Sequence, residues 1–292
     1  MYNKKEKKSV ETLDFKRPDN GKLLFEIIDL NQPDREIPET YHRHDFFEIV
    51  IILKGSTKHF VDFKAYTVTR NEILLIPQNC IHQGGFRENI TGYLLLFTKD
   101  FFTSEQYNYI YGLEIFNVSY GDNLIRLNER EWDEMYQLLL SLIQEYDFQK
   151  KSLNNNTLRF LLLAFNTKLN TLVNDSNKPL LNSPTIVKPF FELLENNFAK
   201  EHSVAFYISQ LNITAKKLAQ ALSQATGKTT LDLITERIVL EAKRELLFSK
   251  KSIKEIAFYL GFDDQLYFSK YIKKNTGRTP QHLRKDFAEI SI

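Results

Sequence analysis

At 292 residues and 34.4 kDa, the chain holds about two domains' worth of material at roughly 100–200 residues per domain. Hydrophobic residues make up 42% and charged residues 26%, which excludes disordered, collagen-like and low-complexity chains. The single cysteine, Cys80, excludes an intramolecular disulfide and a thiolate metal cluster, and a reducing cytoplasm is the expected compartment.

The formal net charge is +2, but it is unevenly spread. Residues 183–292 carry 17 Lys+Arg against 12 Asp+Glu, net +5, whereas residues 1–182 carry 22 against 25, net −3. A basic part joined to a neutral or acidic part is the charge footprint of a nucleic-acid-binding segment attached to a regulatory one.

The N-terminus, MYNKKEKKSVETLDF, is basic and polar with no apolar run behind it, so no secretory signal is expected. Its basic arm, Lys4 to Lys8, reads as a tail. The longest apolar run, Ile49–Leu53 with Phe46 and Phe47 before it, is far short of the ~20 residues a membrane helix needs, and no membrane partner is expected. From about Lys22 to Phe97 the chain reads as short strands: LLFEIIDL, FFEIVIIL, HFVDF, YTVT, EILLIP and TGYLLLF. Turn residues at Pro33–Asp34, Gly55–Ser56, Arg70–Asn71 and Gly84–Gly85 separate them at the spacing of a sandwich or barrel. Phe46, Phe47, Phe60, Phe63, Tyr66 and Phe86 are expected in its core.

Within these strands lie His42-Arg43-His44, then Glu48 after three intervening residues, and later His82. Residues two apart on a strand share a face, so His42 and His44 can point inward together. Such residues either hydrogen-bond one another and line a pocket for a small molecule, or hold a divalent ion such as Zn, Fe, Ni or Mn.

The pattern then becomes helical. Asn128 can cap a helix with Glu131 completing a capping box, and Trp132, Met135, Leu138, Leu139, Leu142 and Ile143 recur at three and four. A second helix from about Leu153 to Leu172 carries Leu158, Leu161, Leu162, Phe165, Leu169 and Leu172 in one stripe. The run NDSNKPLLNSP, Asn174 to Pro184, marks a linker.

Beyond it stands an imperfect repeat, its copies about fifty residues apart, anchored by TGKT and TGRT. The second copy, SIKEIAFYLGFDDQLYFSKYIKKNTGRT, predicts a helix over Ile253–Leu260 with Ile256 and Ala257 inward, a Gly261-Phe262 turn, and Asp263 or Asp264 capping a second helix. Leu266 or Tyr267, Phe268, Tyr271 and Ile272 supply that helix's apolar positions. The first copy, SVAFYISQLNITAKKLAQALSQATGKT, has Tyr207, Ile208 and Leu211, then Asn212 in the turn, Thr214 as cap, and Leu218 and Leu222 inward. Between the copies, TLDLITERIVLEAKRELLFS predicts one long helix burying Ile234, Ile238, Ala242 and Leu246. This is helix-turn-helix grammar, written twice.

Two such units joined by a long helix and ending in TGRTPQHLR resemble the DNA-binding domain of the AraC/XylS family of bacterial transcription regulators, over about Ser183–Lys285. The resemblance implies that the second helix of each unit enters successive major grooves of double-stranded DNA. Base-edge candidates are then Lys216, Gln220 and Ser223 in the first unit and Gln265, Ser269 and Lys270 in the second. Thr214, Lys217, Lys228, Lys273 and Lys274 are phosphate candidates.

The H-x-H-x3-E-x6-G pattern from His42 to Gly55 is similar to the first motif of the cupin superfamily. Asn71 to His82 is similar to the second, with Asn71 and Asn79 in place of its glycines. AraC-family chains commonly carry a cupin-like N-terminal domain, and metal-binding cupins use the residues corresponding to His42, His44, Glu48 and His82.

The expected fold is therefore α+β: a cupin-like, effector-sensing β-barrel over residues 1–127, a helical dimerisation segment over 128–173, a linker over 174–184 and a double helix-turn-helix domain over 185–292. The expected function is sequence-specific promoter binding by a non-enzymatic homodimer, controlled by a small-molecule effector, with RNA polymerase as partner and no required cofactor. The rival reading is a metal-dependent cupin enzyme, or a metal sensor, with His42, His44, Glu48 and His82 as ligands.

Overall fold

The computed structural model describes residues 11–13, 24–31, 40–103, 106, 109–110, 113, 115, 123–149, 156–175 and 186–290. The chain divides into two compact units, Glu11–Pro179 and Leu180–Ile292. The Pro33–Asp34 turn, the Lys4–Lys8 arm and residues 176–184 of the expected linker lie outside the described residues, while Asn174 and Asp175 end a helix.

Among the described residues, the first unit is built on eight strands: β1 (Glu11–Leu13), β2 (Phe25–Asp29), β3 (His42–His44), β4 (Phe47–Val61), β5 (Lys64–Val68), β6 (Glu72–Ile76), β7 (His82–Phe97) and β8 (Leu124–Arg126). They run in the order β1-β3-β7-β4-β6-β8, with β2 also on β7 and β5 also on β4. Among the described residues this path does not return to its start, so the expected barrel is an open sheet. Two expected turns also fall inside strands: Gly55–Ser56 lies within β4, and Gly84–Gly85 within β7.

The reason is a set of register shifts between β4 and β7, at Ile52/Lys54, Lys54/Ser56 and Thr57/His59. Extra residues in a bulge raise twist and bend a strand without ending it, and Gly55 takes the positive φ of 78° that this geometry favours. The Arg70–Asn71 signal is a true turn between β5 and β6, with Asn71 at φ 68°.

Alternation sorts β4 between two cores. Phe47, Ile49 and Ile51 join Ile73, Leu75, Leu95 and Phe97 on one face. That face packs on helices α1 (Glu129–Gln149) and α2 (Asn156–Asp175) through Trp132, Met135, Leu139, Leu162, Phe165 and Leu169. The other face carries Phe46, Val50, Ile52, Val61, Tyr66, Leu74 and Leu96. Phe60, expected in the core, is 38% exposed. At the start of α1, Asn128 Oδ1 accepts from the Glu131 amide at 3.0 Å, and Glu131 Oε2 accepts from the Asn128 amide at 2.9 Å.

The second unit is helical: α3 (Val187–Asn197), α4 (Val204–Leu211), α5 (Ala215–Thr226), α6 (Thr230–Phe248), α7 (Ile253–Tyr259), α8 (Gln265–Thr276) and α9 (Pro280–Ile290). Side-chain caps set the starts of five of them: Ser203 for α4, Thr214 for α5, Thr229 for α6, Ser252 for α7 and Asp264 for α8. Left-handed Gly227 and Gly277 end α5 and α8, as a C-terminal glycine does without a Cβ penalty. The core gathers Phe190, Leu194, Tyr207, Leu218, Leu222, Ile234, Ile238, Ala242, Leu246, Ile256, Ala257, Phe268 and Ile272, all 1% exposed or less. Arg284 ties α9 back, donating to the carbonyls of Leu246 at 3.1 Å and Lys251 at 2.7 Å.

Candidate DNA interface and histidine cluster

Each pair of short helices in the second unit is joined by the same local device. After α4, Asn212 adopts φ 50° and the Ile213 amide donates to the Ile208 carbonyl at 3.3 Å. After α7, Gly261 adopts φ 73° and the Phe262 amide donates to the Ala257 carbonyl at 2.9 Å. A Cβ on Gly261 would stand 2.6 Å from the Ala199 carbonyl oxygen, so this turn needs glycine for space as well as for φ. Asn212 meets the φ requirement alone, as asparagine can.

On α5, Lys216, Gln220 and Ser223 are exposed and follow one another by four and three residues, forming one stripe; Thr214 and Lys217 are exposed at its start. Lys228 is engaged within the chain, donating to Glu236 Oε2 at 2.8 Å. On α8 the candidates divide. Lys270, Lys273 and Lys274 are exposed, whereas Gln265 and Ser269 are half-buried at the edge of the core face.

Leu266 and Tyr267, one or the other of which the sequence assigns to an apolar position, are 70% and 61% exposed. At 3.6 residues per turn, a residue two places from a buried position lies about 200° around the helix. Phe268 and Ile272, both wholly buried, therefore put Leu266 and Lys270 on the opposite side. That count was available from the sequence.

The sheet of the first unit holds a different constellation. His42 and His44 alternate on β3, and His42 stands in register with His82 on β7. All three are buried, at 4%, 1% and 2% exposure. One ring nitrogen from each lies within 4.8 Å of the others. Glu48 does not join this trio; its Oε2 lies 3.4 Å from His44 Nε2.

Backbone carbonyls orient two of the rings. His42 Nδ1 bonds Thr40 O at 2.8 Å, and His44 Nδ1 bonds Phe46 O at 2.8 Å. A carbonyl only accepts, so both Nδ1 atoms carry the proton, and Nε2 is left to face the cluster. Both nitrogens of His82 are buried with no hydrogen-bond partner among the described residues, an arrangement that costs about 1–3 kcal/mol per buried unsatisfied group. Burial dominates at His82 and pushes its imidazole well below the usual value, against the attraction of Glu48. Burial alone would raise Glu48, but the His44 contact and the potential of His82, His44 and His59 outweigh it and draw the carboxyl down to about 2.

Two αL residues explain an apparent departure in the second cupin-like motif. Asn71 and Asn79, which stand where that motif has glycine, adopt φ 68° and 60°. They supply the conformation that glycine usually supplies.

Comparison with known proteins matches residues 23–163 to the AraC-like ligand binding domain and residues 207–286 to a helix-turn-helix domain. The two matches are in the order, and on the units, described above. The chain belongs to the AraC family. Among curated relatives, it is 23% identical over 263 residues to the HTH-type transcriptional activator RhaS of Escherichia coli O81, covering 88% of this chain and 91% of that protein. It is 24% identical over 264 residues to RhaS of Yersinia pestis, covering 88% and 92%. Among solved structures, ToxT from Vibrio cholerae is 16% identical, with a TM-score of 0.42 over 89% of this chain and 98% of that one. This AraC-family chain is a DNA-binding transcription regulator with an N-terminal ligand-binding unit and a C-terminal helix-turn-helix unit. Among its described residues, no helix is long and apolar enough to cross a membrane.

Proposed function

We propose that the regulator acts in the bacterial cytoplasm as a homodimer, binding spaced half-sites at promoters under the control of a small organic effector in the first unit. The observation that carries the DNA-binding part is the pair of exposed helices, α5 and α8, each presented by the same capped turn. Lys216, Gln220, Ser223 and Lys270 read base edges, with Gln265 and Ser269 at the flank of that surface. Thr214, Lys217, Lys273 and Lys274 contact phosphate, and Lys228 does so by leaving Glu236. The relatives' role as activators supports activation through RNA polymerase.

Dimerisation falls to α1 and α2. Phe160 is 63% exposed on α2, and an open groove along that helix is lined by Tyr109, Leu163, Ala164, Thr167 and Thr171. The effector occupies the sheet face that holds His42, His44, Glu48 and His82, and no resident cofactor is needed for DNA binding. The relatives are regulators, which weighs against catalysis by this cluster. Effector binding shifts the equilibrium between helix packings only through differential affinity for the two states.

Genome-wide footprinting of the tagged protein tests this reading, with a Lys270→Ala/Lys273→Ala variant as control. Discrete promoter peaks lost in the variant are expected. Their absence across several growth conditions, with folded protein present, overturns sequence-specific regulation by these helices.

A further inference from the structure

We infer that Leu266 and Tyr267 make the second helix-turn-helix unit a reader of thymine methyl groups, so that the two units select chemically different segments of one site. This rests on α5 and α8 being major-groove helices, as proposed above. The two helices, Ala215–Thr226 and Gln265–Thr276, are each 12 residues long and start at residues 215 and 265, 50 apart. Their positions therefore correspond one to one. Leu218 and Leu222 of α5 match Phe268 and Ile272 of α8, and all four are wholly buried. Lys216 and Lys217 match Leu266 and Tyr267, and all four are exposed. The same outward positions thus carry cations in the first unit and apolar side chains in the second.

Leu266 and Tyr267 are the second and third residues of α8, and the N-terminal residues of a recognition helix are the ones that meet base edges. A leucine side chain has neither donor nor acceptor, and the apolar group a base pair offers in the major groove is the thymine C5 methyl. Tyr267 stands beside it, with its ring 5.9 Å from that of Phe262 and its amide donating to Asp264 Oδ2 at 2.8 Å, which fixes this first turn. Lys270, Lys273 and Lys274 are exposed further along the helix. A second copy of the chain docked face to face here would set lysine against lysine, whereas a polyanion is drawn to them. An apolar tip framed by cations fits thymines on the floor of a groove walled by phosphates. At the matching place in α5, Lys216 suits guanine O6 and N7, and Gln220 one turn on suits adenine N6 and N7. The site then carries a thymine-bearing segment under α8 and a purine-read segment under α5.

The test starts from a randomised DNA duplex library enriched on the full-length protein. In the enriched duplex each thymine is replaced in turn by deoxyuridine, which removes the methyl and leaves base pairing intact. One or two thymines within a single groove segment should each cost roughly four-fold in affinity on losing the methyl. Where such a thymine is changed to cytosine, 5-methyl-deoxycytidine should bind more tightly than deoxycytidine. Affinities are taken at low salt, where phosphate contacts keep every variant bound. A folded Leu266→Ala/Tyr267→Ala protein should bind thymine and uracil duplexes alike, and Leu266→Met should retain the distinction. An enriched duplex on which no thymine shows a uracil penalty overturns methyl reading and leaves the regulator. A penalty undiminished in the folded double variant places methyl recognition on other residues and overturns it too. A library that enriches no sequence overturns sequence-specific binding itself, and methyl reading with it.

Discussion

Lys270 and Lys273 differ in what they are expected to do, although both are exposed lysines on α8. Lys270 shares its stripe with Leu266, where a base edge and a thymine methyl can be met together, whereas Lys273 lies a turn nearer the helix end. Lys270→Ala should cost about 1–3 kcal/mol at the preferred promoter and flatten discrimination among single-base variants. Lys273→Ala should weaken all sequences alike and lower the salt slope by about 1. Fluorescence anisotropy against a panel of variant sites at several salt concentrations separates the two. A Lys270→Ala protein with unchanged preference would remove its reading role.

Gly261 carries two constraints at once. Its φ of 73° costs an L-residue roughly 1–2 kcal/mol, and an added Cβ meets a backbone oxygen at 2.6 Å that no side-chain rotation can clear. Gly261→Ala should therefore destabilise the second unit by about 2 kcal/mol or more. Gly277→Ala, with open space around its Cβ position, should pay only the conformational part, about 1 kcal/mol. Urea denaturation of both variants checks the difference.

Among elements, the entry to α4 is tied to the α7–α8 turn through His202, whose ring lies 4.7 Å from that of Phe262. Burial pushes its imidazole below the ordinary 6.5, against the pull of the Leu260 and Phe198 backbones and Glu201. Because the folded state binds this proton less well than the unfolded chain, stability is whole above about pH 6.5 and falls as the pH drops through the folded value. Denaturation midpoints should decline from pH 7 towards pH 5, and His202→Gln should flatten that decline. An unchanged slope in the variant would take His202 out of the acid response. The long helix α6 shows a second element-scale feature: Arg237 pairs with Glu195 at 2.8 Å and Glu241 at 3.1 Å, Arg244 joins Glu241 at 3.2 Å, and the Phe198 ring lies 3.7 Å from the Arg237 guanidinium. The three α6 members of this network, Arg237, Glu241 and Arg244, are all buried.

On the scale of the whole molecule, the proposed homodimer would set two DNA-binding units on spaced half-sites together, where effective concentration multiplies the affinity of each. Phe160→Glu should convert the dimer to monomer in sedimentation experiments and lower affinity for paired half-sites far more than for one. A variant that stays dimeric would exclude this face of α2 from the interface.

The double helix-turn-helix plan was legible without coordinates, because caps, turn residues and buried stripes are local and their spacing repeats. TGKT and TGRT mark the ends of α5 and α8, and Thr214, Asn212, Gly261 and Asp264 each act where their local chemistry implies. The helical stripe from Trp132 to Leu142 was legible for the same reason. Only the tertiary structure decided that Gly55 and Gly84 lie within strands rather than between them, since a bulge and a turn use the same residues and differ in what pairs across them. It alone opened the sheet, because closure depends on which edges meet. It also brought His82 to His42 and His44 while leaving Glu48 on His44 alone, a convergence set by the β3–β7 register and not by spacing along the chain.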